Sequence, residues 1–277
     1  MKNRSGIFFY ITTWFVLLFF AFVLGYPILW MVFNSLKTPN EIYTKIWGPP
    51  SSPQWGNYVK AWVEADVGTL LRNSLIVAGS TVSLIIVLAA LTAFSIAKIK
   101  FIGSRLLFGL FIVTMIVPQQ ILVVPLFGLM KSIGIINTYL SLILPYVAGG
   151  LPLAIFILTT YFHSIPDELI DASRIDGCSS MRILRIIVIP ISGPAISAVV
   201  IFQFLKSWNE FFLALIFIQK SNLRTLPLGI FSFTSRFITD YSLFFSVLSV
   251  SMLPVVVVFL IFQRRFISGL TAGALVG

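Results

Sequence analysis

Cysteine and histidine are nearly missing: Cys178 and His163 are the only ones in 277 residues. An internal disulfide is therefore excluded, and so is a metal site built on Cys/His pairs, because such sites take three or four ligands. Charge is scarce as well. Asp, Glu, Lys and Arg make up 10% of the chain, and nine acidic residues face nineteen basic ones. No apolar run holds two carboxylates, which leaves an intramembrane enzyme without an acid/base couple. No Gly-x-x-x-x-Gly-Lys-Ser/Thr stretch occurs, so the chain has no phosphate-cradling loop of that kind.

What the chain has in quantity is apolar sequence. It is 58% hydrophobic with a mean hydropathy of +1.02, against roughly 45–50% apolar content in a soluble domain. A bilayer core about 30 Å thick needs ~20 mainly apolar residues per helix. Five charge-free runs meet that length: Ile7 to Phe33, Asn73 to Ala97, Leu106 to Met130, Ser132 to Phe162 and Tyr241 to Gln263. A sixth, Ser192 to Ile218, is broken only by Lys206 and Glu210. Backbone groups in lipid must be satisfied within the segment, so runs of this length are helices. The reading is an all-α integral membrane protein with six transmembrane helices at 7–33, 73–97, 106–130, 139–162, 192–218 and 241–263.

The first run follows "MKNRSG" but is much longer than the 7–15 residues of a signal-peptide core, and it reads as a retained anchor. Placing the N-terminus inside puts Lys2, Arg4, Lys98, Lys100, Arg105, Arg174, Arg182, Arg185, Arg264 and Arg265 on the inner side. The outer side holds Lys37, Lys45, Lys60, Arg72, Lys131, Lys220, Arg224 and Arg236, spread over longer loops. The bias favours both termini in the cytoplasm. Basic residues at an inner leaflet also account for the net charge of +10, so nucleic acid is not a partner.

Three stretches carry more than hydropathy. "SPQWGNYVKAWVEAD" reads as a short surface helix capped by Asn57, with Tyr58, Ala61, Trp62 and Ala65 on one face; it is either an interfacial anchor or a platform for an outer partner. "IVPQQILVVP" puts Pro118 mid-span beside Gln119 and Gln120. The freed carbonyls and side-chain amides there line a pathway or pack a structural kink. "FLKSWNEFF" sets Lys206 and Glu210 four apart on one helix face, with Trp208 and Asn209 between them. Lys206, about 21 Å along its helix at 1.5 Å per residue, is deep enough to snorkel to the outer headgroups. Pro118, Gln119, Gln120, Trp208, Asn209 and Glu210 are the candidate pathway residues.

The fourth stretch is the most polar. "HSIPDELIDASRIDGCSSMRILRIIVIP" reads as two short helices meeting at a turn. Pro166, Asp167 and Glu168 suit a helix start. Gly177 takes a left-handed conformation that ends the first helix after Asp176, and Ser179 caps a second helix running to about Ile189 before Pro190. Such an elbow is too polar for lipid and reads as a docking site for an inner partner.

Within that stretch, Asp171, Ala172, Ser173, Asp176, Gly177 and Cys178, closed by Pro190, resemble the signature loop of bacterial ATP-binding-cassette importer permeases. Its usual form is Glu-Ala-Ala, two variable residues, Asp-Gly-Ala, then an apolar run ending in Pro. Asp replaces Glu at 171, and Ser and Cys replace Ala at 173 and 178; charge and small volume are kept. "NLRTLPLGI", "FLKSWNEFF" and the ending "RRFISGLTAGALVG" extend the resemblance to the maltose-transporter type of sugar permease, its shorter six-span subunit. The resemblance implies a type I importer permease fold in a bacterial or archaeal cell membrane, with 163–190 as the cytoplasmic coupling loop and 264–277 as a cytoplasmic tail. It also implies a sibling permease of six to eight spans, two ATPase subunits that hold the ATP and Mg, and an extracytoplasmic solute-binding protein. The chain itself would hold no cofactor, and its tail from 268 to 277 would help seat the ATPase. A non-sugar importer and an ion-coupled secondary transporter are the alternatives. The latter predicts inverted repeats and midplane ionisable groups.

Overall fold

Lipid offers no hydrophobic reward for bringing helices together, so they must associate through close packing and hydrogen bonds. The computed structural model describes residues 4–99, 101–236 and 240–274, and side chains within 9–99, 101–232 and 240–267. Lys2, Lys100 and the side chains of the 268–277 tail lie outside the described residues.

The order of elements is α1 (Arg4–Ser35), α2 (Pro39–Thr44), α3 (Gly56–Glu64), α4 (Val67–Phe94), α5 (Ser104–Thr114), α6 (Val123–Ser132), α7 (Leu140–His163), α8 (Asp167–Ile175), α9 (Ser180–Ile183), α10 (Ile189–Ile191), α11 (Gly193–Trp208), α12 (Phe212–Phe217), α13 (Leu226–Arg236) and α14 (Tyr241–Ala274). No strand occurs among the described residues. Four stretches are long and apolar enough to cross a membrane unbroken: Phe9–Ser35, Val67–Ile99, Leu140–His163 and Tyr241–Ile267. Two more pass the same test only as bent pairs, Ser104–Thr114 with Gln119–Ser132 at 89° and Ser180–Ile191 with Gly193–Trp208 at 80°.

Two of the expected spans are therefore corrected. The run at 106–130 is not one rod, because Pro118 is extended (φ −64°, ψ 128°) and starts a 3-10 turn at Gln119–Leu122. The run at 192–218 stops at Trp208, and α12 begins afresh at Phe212. The elbow's second helix does not end before Pro190. It passes through a π-turn at Leu184–Val188 and reaches Ile191, with Pro190 inside its last turn.

The chain forms two compact units. In the unit of residues 1–68 and 229–252, Ala61 packs with Val67, Leu243 and Val247. Asn57 does not cap α3, which starts at Gly56; its amide instead donates to the Ser35 and Lys37 carbonyls at 2.9 and 3.0 Å. Lys37 is fully buried, its ammonium donating to Asn34 Oδ1 and to the Lys45 and Ile46 carbonyls. Burial pushes that ammonium below its ordinary range; Glu41 opposes the shift and Lys45 reinforces it. Val59, Trp62 and Val63 of α3 are exposed. That pattern suits a helix lying at a headgroup surface.

The unit of residues 69–228 and 253–277 holds the main core. Its centre is α7, whose buried face repeats every fourth residue: Leu142, Tyr146, Gly150, Ala154, Leu158 and Phe162. The same core holds Ile85, Ala89 and Ala93 of α4 and Ala97 of the Ser95–Ile99 turn that follows it, and the backbones close to α7 are those of α11, α5, α12 and that turn. Small residues permit such close approach, as apolar packing in lipid requires. Gly150 shows how tight the fit is: a Cβ there would lie 2.5 Å from Ile85 Cδ1 and 2.6 Å from Gln203 Oε1. Gln203, itself buried, donates to the Gly150 carbonyl at 3.0 Å.

Gly150→Ala will lower the thermal midpoint of the detergent-solubilised protein, in line with an overpacking cost of about 1–3 kcal/mol. Gly79→Ala, where a Cβ meets nothing within 4 Å, will leave the midpoint unchanged or raise it.

Candidate functional site: the elbow and the adjoining cavity

The elbow is built by local sequence. α8 ends in a Schellman motif: Gly177 N–H donates to the Arg174 carbonyl and Cys178 N–H to the Ser173 carbonyl, both at 3.0 Å. This closure needs Gly177 at φ +78°, where a β-carbon is strained. Ser179 then caps α9, its Oγ accepting from Arg182 N–H at 3.4 Å. Ile170 and Ser173 face inward, whereas Asp171, Ala172 and Asp176 are exposed and Cys178 is half-buried. The exposed face also carries apolar side chains, with Ile175 at 87% exposure and Met181 at 60%. Sequence reasoning passed over Ile175 because an isoleucine next to a helix end reads as core.

A buried lysine fixes the elbow to the rest of the unit. α4 continues into a π-turn at Ser95–Ile99 that carries Lys98 inward. Its side chain is 2% exposed, and its Nζ donates to Asp167 Oδ1 and to the Ile165 carbonyl, each at 2.6 Å. Asp167 and Ile165 stand at the very start of α8, so one ammonium joins the end of α4 to the entry of the elbow. Arg174 adds a weaker tie, donating to Asp171 Oδ1 at 3.0 Å and to the Lys98 carbonyl at 3.5 Å. The sequence marked Lys98 only as an inner-side charge. π-turns are common at functional sites, and here they occur both in the α4 extension and in the elbow's second helix.

The candidate pathway residues separate. Gln119 and Gln120 line a cavity of about 590 Å³ together with Thr114, Pro145, Gly149 and Lys206. Pro118 sets the bend that brings them there. Trp208 is instead buried and stacks on Phe204, with ring centroids 5.3 Å apart. Asn209 is exposed just past the end of α11. Glu210 is committed elsewhere: Tyr146 Oη donates to its Oε2, and Leu213 and Ala214 N–H donate to its carboxylate at 2.7 and 3.3 Å. The expected Lys206–Glu210 pairing on one face is absent because α11 ends between them, and Lys206 Nζ donates to the Gly149 carbonyl at 2.8 Å. The lysine is exposed, and its ammonium is turned toward α7. No group of three His, Cys, Asp or Glu residues able to hold a metal occurs among the described residues.

Residues 85–271 match the model of the family described as binding-protein-dependent transport system inner membrane component. The chain belongs to that family. It is thus a multi-pass membrane subunit of an importer that works with an ATPase and a solute-binding protein. It is similar to the sulfoquinovosyl glycerol transport system permease protein of Agrobacterium fabrum, at 36% identity over 91% of this chain and 89% of the relative. It is also similar to the trehalose/maltose transport system permease protein of Thermococcus litoralis, at 33% identity over 93% of each. The fold of this permease matches a chain of a bacterial ABC transporter that imports the acidic polysaccharide alginate, with a TM-score of 0.79, 20% identity and coverage of 96% and 99%.

The Lys98 clamp predicts an asymmetry. Asp167→Ala leaves a buried ammonium without its counter-charge, which costs more than removing the ammonium itself. Lys98→Met takes one donor from a half-exposed carboxylate and from the Ile165 carbonyl, costing about 1–3 kcal/mol. Thermal midpoints will fall further for Asp167→Ala than for Lys98→Met, and adding Lys98→Met to Asp167→Ala will recover part of the loss. At the turn, Gly177→Val will reduce coupling of ATP hydrolysis to uptake in proteoliposomes of the full assembly, whereas Gly177→Asn, which tolerates the left-handed region, will retain most of it.

Proposed function

We propose that this permease forms half of the translocation pathway of a carbohydrate importer and is moved by its ATPase partner through the elbow around Asp171, Ala172, Ser173, Asp176, Gly177 and Cys178. The observation that carries this reading is a polar elbow with Ile175 and Met181 exposed at its surface, held rigidly to α4 by the buried Lys98. Exposed apolar side chains on an otherwise polar, well-capped element are suited to fill a partner's cleft. The named sugar permeases among its relatives support the substrate class. In this reading the bent pair Ser104–Thr114 with Gln119–Ser132 is one span and the stretch from Gly193 onward is another, making six, and both termini and the elbow with its second helix are cytoplasmic, in accord with the basic bias of the inner segments.

Its partners are a sibling permease of six to eight spans, two ATPase subunits and an extracytoplasmic solute-binding protein. ATP and Mg belong to the ATPase subunits. This chain contributes no cofactor chemistry; its residues transmit displacement. When the two ATPases close, the elbow moves as a rigid handle. The Lys98 to Asp167 contact passes that motion to the Ser95–Ile99 turn at the end of α4, and the packing of that turn on α7 passes it onward. Rigid-body movement of packed helices is sufficient to open the cavity lined by Gln119 and Gln120 alternately to the two sides.

Ile175→Asp tests the handle. Because Ile175 is exposed, its replacement leaves the thermal midpoint of the isolated permease within about 0.5 kcal/mol of wild type. ATPase co-purified in mild detergent will fall by about thirtyfold in affinity, the size of a central hot spot of ~2 kcal/mol. Undiminished co-purification and solute-stimulated ATP hydrolysis would refute the role given to the elbow.

A further inference from the structure

The cavity beside the bend carries a charge that nothing in the transport cycle described above employs. Among its lining residues are the amides of Gln119 and Gln120, the hydroxyl of Thr114 and the ammonium of Lys206, and no carboxylate. Glu210, the nearest acid in sequence, is occupied by Tyr146 and by the first N–H groups of α12. Lys206 has three N–H donors, and its one hydrogen-bond acceptor is the Gly149 carbonyl. Pro152 also lines the cavity, and having no N–H it leaves the Ala148 carbonyl beside it without a helical donor.

A charged side chain within the spans is expensive, and such groups face an aqueous cavity and mark substrate routes. A neutral sugar could accept one hydrogen bond from Lys206 but would leave its charge uncompensated. An anionic sugar supplies both the acceptor oxygens and the counter-charge, and such charge-assisted bonds are about twice as strong as neutral ones. The two glutamines offer donors and acceptors for ring hydroxyls. The volume, about 590 Å³, falls within the usual range for small-molecule sites.

We infer that this cavity is a subsite for an anionic saccharide, with Lys206 as the counter-charge to its carboxylate or sulfonate and Gln119 and Gln120 as partners of its hydroxyls. The inference rests on the carbohydrate-importer reading and narrows its substrate class.

The test uses the complete importer in proteoliposomes, with its sibling subunit, ATPases and binding protein. The probes are uronic-acid disaccharides and trisaccharides and their carboxyl-reduced neutral counterparts. Wild type will import the acidic forms in preference to the reduced ones. Lys206→Gln will lower uptake of the acidic forms by about tenfold, equivalent to ~1.4 kcal/mol, with a smaller effect on the neutral forms, and Lys206→Arg will restore the acidic preference. Equal losses for both classes in Lys206→Gln would make the lysine merely structural and overturn the inference. So would wild-type import of the neutral forms alone, which would leave the carbohydrate reading intact. Import of neither class, with ATP hydrolysis stimulated by some other solute, would remove the carbohydrate reading and this inference with it.

Discussion

The ammonium of Lys98 is the joint on which the working half of the molecule depends. A cation with a 2% exposed side chain has no water to turn to, so it must hold its partners continuously. Those partners are Asp167 and the Ile165 carbonyl, both at the entry to α8. A loop of similar length without this anchor would be a tether, able to bend without moving the helices behind it. With the anchor, the elbow and the end of α4 move together.

In the mechanism we propose, the rest of the unit converts that displacement into a change at the cavity. Packing in lipid rewards close approach, and α7 provides it against α11, α5 and the Ser95–Ile99 turn, with Gly150 admitting the side chains of Ile85 and Gln203. Gly149 and Gly150 serve two purposes. Their missing β-carbons make room for Gln119 and Gln203, and their carbonyls accept from Lys206 and Gln203. The α7 segment that lines the cavity is thus also one of the most closely packed against its neighbours. That arrangement lets a shift of α4 or α11 be felt at the cavity wall.

Much of this was legible in the sequence, and the misses share a physical cause. Run length located the apolar segments, and the Gly177 and Ser179 signals fixed the elbow's turn, because capping chemistry is local. The resemblance to importer permeases came from the same elbow and is supported by the family match over residues 85–271. Run length could not see that α11 stops at Trp208, since apolar sequence resumes at Phe211 and Phe212 just beyond the polar residues at the break. Treating that stretch as one helix produced the false Lys206–Glu210 pair. Lys98, Ile175 and the Gly149–Gly150 pair carry no local signature at all. Their roles arise from what lies opposite them in space. One available clue was the four-residue spacing of small residues in α4, which continues to Ala97, next to Lys98.

The most direct measurement of the central claim places a single thiol at the elbow. Ile175→Cys in a Cys178→Ser background, assembled with its ATPase, is exposed to a membrane-impermeant maleimide in inverted and in right-side-out vesicles. The account predicts labelling only in inverted vesicles, and only after the ATPase has been stripped away. Labelling from the outer side, or labelling undiminished by bound ATPase, would contradict it.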